Sequence, residues 1–181
     1  MTTVDRALQR WRIQKASRFI AKNSSVLDIG SSDGALYRLI PGIGSYVGID
    51  PRVDAETRGP KYSLVRGLFP QQLPDDRKFD VITMLAVLEH IPSREQHELA
   101  SDCYRYLNPG GRVVITVPSE RVDTVLTVLR TLRLVHGMNL EEHYGFEAQQ
   151  TPALFTSKGF ISLEHKTFQL GLNNLFVFEK N

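Results

Sequence analysis

The sequence holds a single cysteine, Cys103, and a single tryptophan, Trp11, among 181 residues. One cysteine excludes an internal disulfide and is unremarkable for a reducing compartment. Cys103 lies four residues from both Leu99 and Leu107, the helical spacing of a small buried residue rather than of a nucleophile. Neither sign of charge is in large excess. The formal net charge is +2, which gives no whole-protein argument for a nucleic acid or an anionic membrane as partner. No run approaches the ~20 apolar residues of a membrane span, and no N-terminal stretch reads as a signal peptide. No Cys/His/carboxylate spacing resembles a zinc site, so no metal is expected. What is present is 41% hydrophobic and 23% charged residues, the composition of a soluble globular protein. The expectation is one cytoplasmic domain over 1–181.

The chain opens on an amphipathic pattern. Val4, Ala7, Leu8, Trp11, Phe19 and Ile20 form an apolar set that predicts a helix over 3–22, with Trp11 as a packing residue. "SVLDIG" (25–30) then reads as a buried strand, "ALYRLI" (35–40) as a helix, "SYVGID" (45–50) as a second strand and "KYSLVRG" (61–67) as a weaker third. A fourth strand is expected over 79–85. "SREQHELASDCYRYL" (93–107) is a helix, with Ser93 as N-cap and Gln96 three residues on, the spacing of a capping box. "NPGG" turns the chain into "RVVITVP" (112–118), a β-branched strand. Val122, Val125, Leu126, Leu129 and Leu132 give one apolar face to a helical insertion at about 119–145. Strands alternating with helices, apolar on both faces, imply a mainly parallel sheet covered on both sides. "GFISLEHKTFQ" and "NLFVFEK" are joined only by "LGLNN", too short for a crossover, so the sheet should end in an antiparallel pair. Asn173-Asn174 is the simplest source of its turn.

The stretch "VLDIGSSDG" (26–34) carries the first functional signal. In open α/β sheets ligands sit beyond the carboxyl ends of the strands, and this glycine loop ends the first strand. Gly30 permits a sharp turn and Gly34 a close approach of backbone. Asp50 ends the second strand, where a carboxylate can accept hydrogen bonds from a ribose diol. These features suit a nicotinamide dinucleotide and any other adenosine-bearing ligand equally. Asp28 separates them. A carboxylate would repel a pyrophosphate and attract a cation, and S-adenosylmethionine carries a sulfonium and an ammonium with no phosphate.

The series "VLDIGSSDG", "YVGID", "FDVITMLAVLEHI" and "LNPGGRVVITVPS" resembles the class I S-adenosylmethionine-dependent methyltransferases of the compact type 11, small-molecule kind, over roughly residues 25–181. The resemblance implies a Rossmann-like three-layer α/β sandwich, with a seven-stranded, mostly parallel sheet of order 3-2-1-4-5-7-6 whose last strand is antiparallel. It implies S-adenosylmethionine as cofactor and S-adenosylhomocysteine as product. Asp28 then stands near the cofactor's amino group, Gly30, Ser32 and Gly34 around its methionine portion, Asp50 on the ribose and Leu85 along the amino-acid end. In that family an N-terminal helix and the region after the fifth strand often form a partial lid. Two departures are visible. Ser32 replaces a frequent glycine, so the loop must accommodate a Cβ. Leu68 and Phe69 fill a place where an acidic residue often meets adenine, so Leu68 is taken as the adenine contact.

Methyl transfer needs chiefly alignment, plus a base where the acceptor is a hydroxyl. "LEHI" offers Glu89 and His90 at the ligand edge, and His90 is the better base because an unperturbed imidazole titrates near neutrality. "LEEHYGF" offers His143 as base and Tyr144 as a substrate wall. Gln169, Asn173 and Asn174 are a minority choice for substrate contact. The expected function is methyl transfer to a small-molecule acceptor, with an oxygen nucleophile preferred, such as a glycan precursor or a lipid-linked intermediate. The rival readings are a non-catalytic binding scaffold that keeps the fold, and a nucleic-acid or protein methyltransferase drawing on Arg121, Arg130 and Arg133.

Overall fold

The computed structural model describes residues 3–119 and 147–181. Helix α1 (Thr3–Ala16) runs into a short 3-10 turn, Ser17–Phe19, and then β1 (Ser25–Ile29) enters the middle of the sheet. Next come α2 (Ala35–Leu39), β2 (Ser45–Asp50), β3 (Thr57–Arg58), β4 (Tyr62–Arg66) and β5 (Phe79–Leu85). A 3-10 turn, Leu88–His90, leads into α3 (Ser93–Tyr106) and β6 (Leu107–Pro118). The chain ends with α4 (Thr151–Thr156), β7 (Phe160–Phe168) and β8 (Asn173–Lys180).

The sheet has eight strands in the order β3-β4-β2-β1-β5-β6-β8-β7. The two-residue β3 is the addition: it pairs antiparallel with the outer edge of β4. Without it, the remaining seven strands, counted along the chain, follow 3-2-1-4-5-7-6. Strands β4, β2, β1, β5 and β6 are mutually parallel, while β8 runs antiparallel to both of its neighbours. The Rossmann-like architecture expected from the sequence is therefore present, with one more edge strand.

Alternation along the strands sorts the core into two layers. Leu27, Ile82, Met84, Val113, Ile115, Phe176 and Phe178 pack on the face covered by α3 and α4. Cys103 lies in that layer with no exposure, and burial pushes its thiol pKa up. Val26, Tyr46, Val81, Val114 and Val177 face the other way, under Ile13 and Ala16 of α1 and Leu36 of α2.

Four local expectations are corrected. Helix α1 stops at Ala16, not at residue 22. Ser93 is the first helical residue of α3, and Pro92, which has no side-chain donor or acceptor, is the N-cap. Gln96 does not complete a capping box; its Nε2 donates to the carbonyls of Leu88 (3.3 Å) and Ile91 (2.8 Å), tying the helix to the preceding turn. Strand β6 begins at Leu107, so the "NPGG" stretch belongs to the strand, and the β5–β6 register shifts between Phe79 and Val81 to accommodate it. Finally, Asn173 and Asn174 are strand residues. The turn is made by Gln169 and Leu170, both left-handed at φ 53° and 58°, with Gly171.

Gly30 has φ +74°, and a Cβ built there would lie 2.3 Å from Cγ2 of Val87. The loop after β1 and the segment after β5 therefore close on each other only because residue 30 has no side chain. Gly30→Ala should cost about 2–4 kcal/mol, from left-handed strain plus overpacking. Urea unfolding should show that loss, and Val87→Ala in the same chain should recover the steric part. A Gly30→Ala protein as stable as the parent would contradict this packing.

Candidate cofactor and acceptor site

The site is built around a carboxylate in the centre of the sheet. Asp28 is the fourth residue of β1, 4% exposed, on the α1 side of the sheet. Its neighbours in register are Gly48 on β2 and Thr83 on β5. Thr83 Oγ1 donates to Oδ1 at 2.6 Å and the Tyr46 hydroxyl donates to Oδ2 at 2.8 Å. Burial is the largest influence on Asp28 and raises its pKa to about 6; the Thr83 and Tyr46 hydrogen bonds oppose the rise, and the charges of Asp50 and Asp33 add to it.

Beyond Asp28 lies a cavity of about 40 Å³. Gln9, Arg12 and Ile13 of α1 form its roof, Asp28, Gly30 and Ser31 its floor, and Leu36 and Leu85 its sides. Residues 9, 12 and 13 share one face of the helix by the three- and four-residue spacing. Burial lowers the pKa of Arg12, while the charges of Glu89 and Asp5 raise it in part. Arg12 Nε is buried and makes no hydrogen bond among the described residues. One wall of the cavity thus carries a carboxylate and another a guanidinium with an unused donor. That is the complement of an α-amino acid: an ammonium toward Asp28 and a carboxylate toward Arg12.

Asp50 braces the glycine loop. Its Oδ2 accepts from the backbone N–H of Ser32 at 2.8 Å, and its Oδ1 from that of Arg52 at 2.7 Å. An ionised carboxylate offers about four acceptor positions, so capacity remains for a ribose diol. Ser32 adopts φ 49°, a left-handed conformation that costs a residue with a Cβ about 1–2 kcal/mol; the bond from its N–H to Asp50 holds it there. Gly34, at φ 71°, heads α2, and a Cβ on it would lie 2.5 Å from the Tyr62 hydroxyl. Gly34 therefore makes room for a side chain of the sheet.

The structure brings Asp28, Gly30 and Leu85 together around the cavity, with Ser32, Gly34 and Asp50 in the adjoining loop and strand end. Leu68 is 61% exposed, next to Gly67, whose N–H donates to the Asp50 carbonyl at 3.3 Å. Phe69 instead turns into the core against Tyr106, with ring centroids 5.2 Å apart. His90 is exposed and does not line the cavity, whereas Glu89 is 2% exposed and acts on Arg12. His143 and Tyr144 lie outside the described residues. Trp11 is 43% exposed and, among the described residues, its ring contact is edge-on with Phe168 at 6.5 Å, so the inward face of α1 is not the one its apolar pattern indicated. Sequence reasoning missed Gln9, Arg12, Ser31 and Leu36. The available signal for the first two was a polar pair flanking Ile13 on one helical face.

The sheet order, the glycine loop and the antiparallel last strand define the class: a Rossmann-like domain of the class I methyltransferase type. Residues 3–166 match a family described as a methyltransferase domain, and the chain belongs to that family. It is 27% identical over 151 residues to a probable S-adenosylmethionine-dependent methyltransferase of Mycolicibacterium smegmatis, covering 77% of this chain and 58% of the relative. It is 27% identical over 136 residues to a ubiquinone biosynthesis O-methyltransferase of Glaesserella parasuis serovar 5, covering 67% and 57%. The chain thus spans little more than half the length of the curated relatives it matches. Among solved structures, magnesium protoporphyrin IX methyltransferase from Synechocystis PCC 6803 with bound SAH superposes with a TM-score of 0.71 at 16% identity, over 100% of this chain and 89% of that one. The N-methyltransferase NodS from Bradyrhizobium japonicum WM9 gives 0.67 at 18% identity, over 97% and 98%. At such identities the likeness speaks for the fold. No helix among the described residues is long and apolar enough to cross a membrane.

The raised pKa of Asp28 has a definite sign in stability. The folded protein holds this proton up to about pH 6, whereas the unfolded chain releases it near pH 4. Between those values the native state binds more protons, so this group makes folding weaker as pH rises, by about 3 kcal/mol in all. Asp28→Asn should remove that loss. The stability of the variant minus that of the parent, from urea unfolding at fixed ionic strength, should climb from about pH 4 to about pH 6 and then level. Parallel curves would show that Asp28 titrates normally.

Proposed function

We propose that this domain binds S-adenosylmethionine through Asp28, Arg12 and Asp50 and transfers its methyl group to a small-molecule acceptor with an oxygen nucleophile. The observation that carries the reading is the shared cavity of the buried Asp28 carboxylate and the Arg12 guanidinium behind the glycine loop. An α-amino acid end fits both charges, and a dinucleotide pyrophosphate would meet Asp28 with like charge. When bound, the cofactor supplies a methyl group on a positively charged sulfur, already activated for in-line displacement.

The chain's own part is to hold and orient. Asp28 takes the ammonium and Arg12 the carboxylate, with Glu89 behind Arg12 to keep it charged. Asp50 takes ribose hydroxyls with the lone pairs left free by Ser32 and Arg52, and Leu68 offers an apolar surface to adenine. Positioning of this kind supplies roughly 7–11 kcal/mol when reacting atoms are well aligned. His90, on the turn after β5, and His143 are the proposed bases for an acceptor hydroxyl. The oxygen nucleophile is supported by relatives named ubiquinone biosynthesis O-methyltransferase.

The test is isothermal titration of S-adenosylhomocysteine, which keeps the amino-acid and adenosine ends. Saturable one-to-one binding is expected. Arg12→Ala should weaken it by about 1.5–3 kcal/mol, roughly tenfold to hundredfold in Kd. Affinity of the parent should also rise between about pH 5 and pH 7 as Asp28 ionises. Absence of binding to folded protein would overturn the reading, and full affinity in Arg12→Ala would remove Arg12 from it.

A further inference from the structure

A second group of buried polar side chains lies outboard of the cavity, on the same face of the sheet. Leu85, which lines the cavity, pairs in register with Thr116 on β6. Thr116 stands opposite Leu175 on β8, and Asn173, two residues before Leu175, stands opposite Pro118. Thr116 and Asn173 are thus diagonal neighbours on one face. Asn173 is two strand spacings across and two residues along from Leu85, about 12 Å. It is also in register with Phe168 on β7, whose ring carries Trp11 of α1.

Thr116, Gln169 and Asn173 are 0%, 6% and 5% exposed. The two carboxamides are paired: Asn173 Nδ2 donates to Gln169 Oε1. Gln169 Nε2, Asn173 Oδ1 and Thr116 Oγ1 are buried and have no hydrogen-bond partner among the described residues. Exchanging oxygen and nitrogen in both amides changes nothing essential. One amide hydrogen pair and one carbonyl oxygen stay unmet side by side, next to a hydroxyl that can serve as either. Gln169 is presented here by a left-handed backbone, as is Leu170 after it. Unmet buried polar groups cost stability, and a sequence selected for folding alone would replace them with apolar ones.

We propose that the Gln169–Asn173 carboxamide pair, with Thr116, is the subsite that recognises the methyl acceptor, through an uncharged group presenting a hydrogen-bond donor and an acceptor side by side. A primary carboxamide is the simplest such group. Assigning the subsite to the acceptor rests on the methyl-transfer reading; the recognition chemistry does not. An anionic carboxylate offers only acceptors and leaves the unmet carbonyl facing like charge, so the subsite discriminates against it.

The experiment titrates benzamide and, separately, benzoate into nitrogen-15-labelled protein, following the side-chain amide resonances of Gln169 and Asn173 and the indole of Trp11. Benzamide should shift all three saturably, and benzoate at equal concentration should not. Gln169→Met with Asn173→Leu should abolish the Trp11 response and raise the melting temperature, while S-adenosylhomocysteine affinity stays within about twofold. Equal responses to the two probes, or no response, would overturn the proposal. So would a variant that melts lower or fails to fold, because the pair would then be structural. Titrating S-adenosylhomocysteine into the parent protein keeps the claims apart: its failure to bind speaks against the methyl-transfer reading, whereas the benzamide response bears on this recognition chemistry alone.

Discussion

A carboxylate buried in the middle of a β-sheet has to be accommodated by everything around it. Asp28 sits between β2 and β5 with the Tyr46 and Thr83 hydroxyls as its side-chain donors among the described residues, and neither carries a charge. Two neutral hydrogen bonds do not repay the loss of hydration of an ion, and the raised pKa expresses that shortfall. A cation delivered to the cavity beside it would repay more. The arrangement of α1 follows from the same need: the helix closes the cavity over Asp28 and brings Arg12 as the opposite charge, with buried Glu89 close enough to act on Arg12. On the proposed reading, stability in the ligand-free protein is exchanged for a site that takes a zwitterion.

The two faces of the sheet divide the labour. The face under α3 and α4 is an apolar layer in which Phe155, Phe160, Phe176 and Phe178 pack as a group of rings. It holds the strands in register. The face under α1 and α2 carries the polar interruptions: Asp28, Thr83, Thr116 and Asn173. Because alternate strand residues point to opposite faces, a rigid apolar layer on one side can fix the position of polar groups on the other to within the stiffness of the sheet. The glycine loop is tied into this frame at two points, by the Asp50 bonds and by the contact of Gly30 with Val87.

The parts that could be read from the sequence are those set by local pattern. The strands 45–50 and 79–85 fall where apolar runs end in turn residues, and Asp28, Gly30 and Asp50 follow from their places at strand ends. The parts that could not be read depend on contacts between distant segments. Trp11 looked like the inner face of α1, but that helix buries Ile13 and Ala16 in the apolar layer and lines the cavity with Gln9 and Arg12, opposite Asp28 and Ser31. Spacing alone did not tell which of Glu89 and His90 is buried: the 3-10 turn places Glu89 inside and leaves His90 exposed, where a proposed base can meet an acceptor arriving from solvent. Ser93 had the chemistry of an N-cap, but Pro92 occupies that position and Gln96 finds backbone carbonyls instead. The two asparagines had the chemistry of a turn, but pairing with β6 and β7 draws them into β8. The two-residue β3 is too short to leave a periodic signal.

On the proposed reading, Asp28 is a carboxyl held back from ionising until an ammonium arrives. Its side-chain carboxyl carbon, followed by carbon-13 NMR across a pH series, reports that state directly, with and without saturating S-adenosylhomocysteine. A midpoint near 6 is expected in the free protein, in line with the burial of the group, with a clear fall when the ligand is bound. A midpoint already near the ordinary value of about 4, or one that ligand leaves in place, would contradict it.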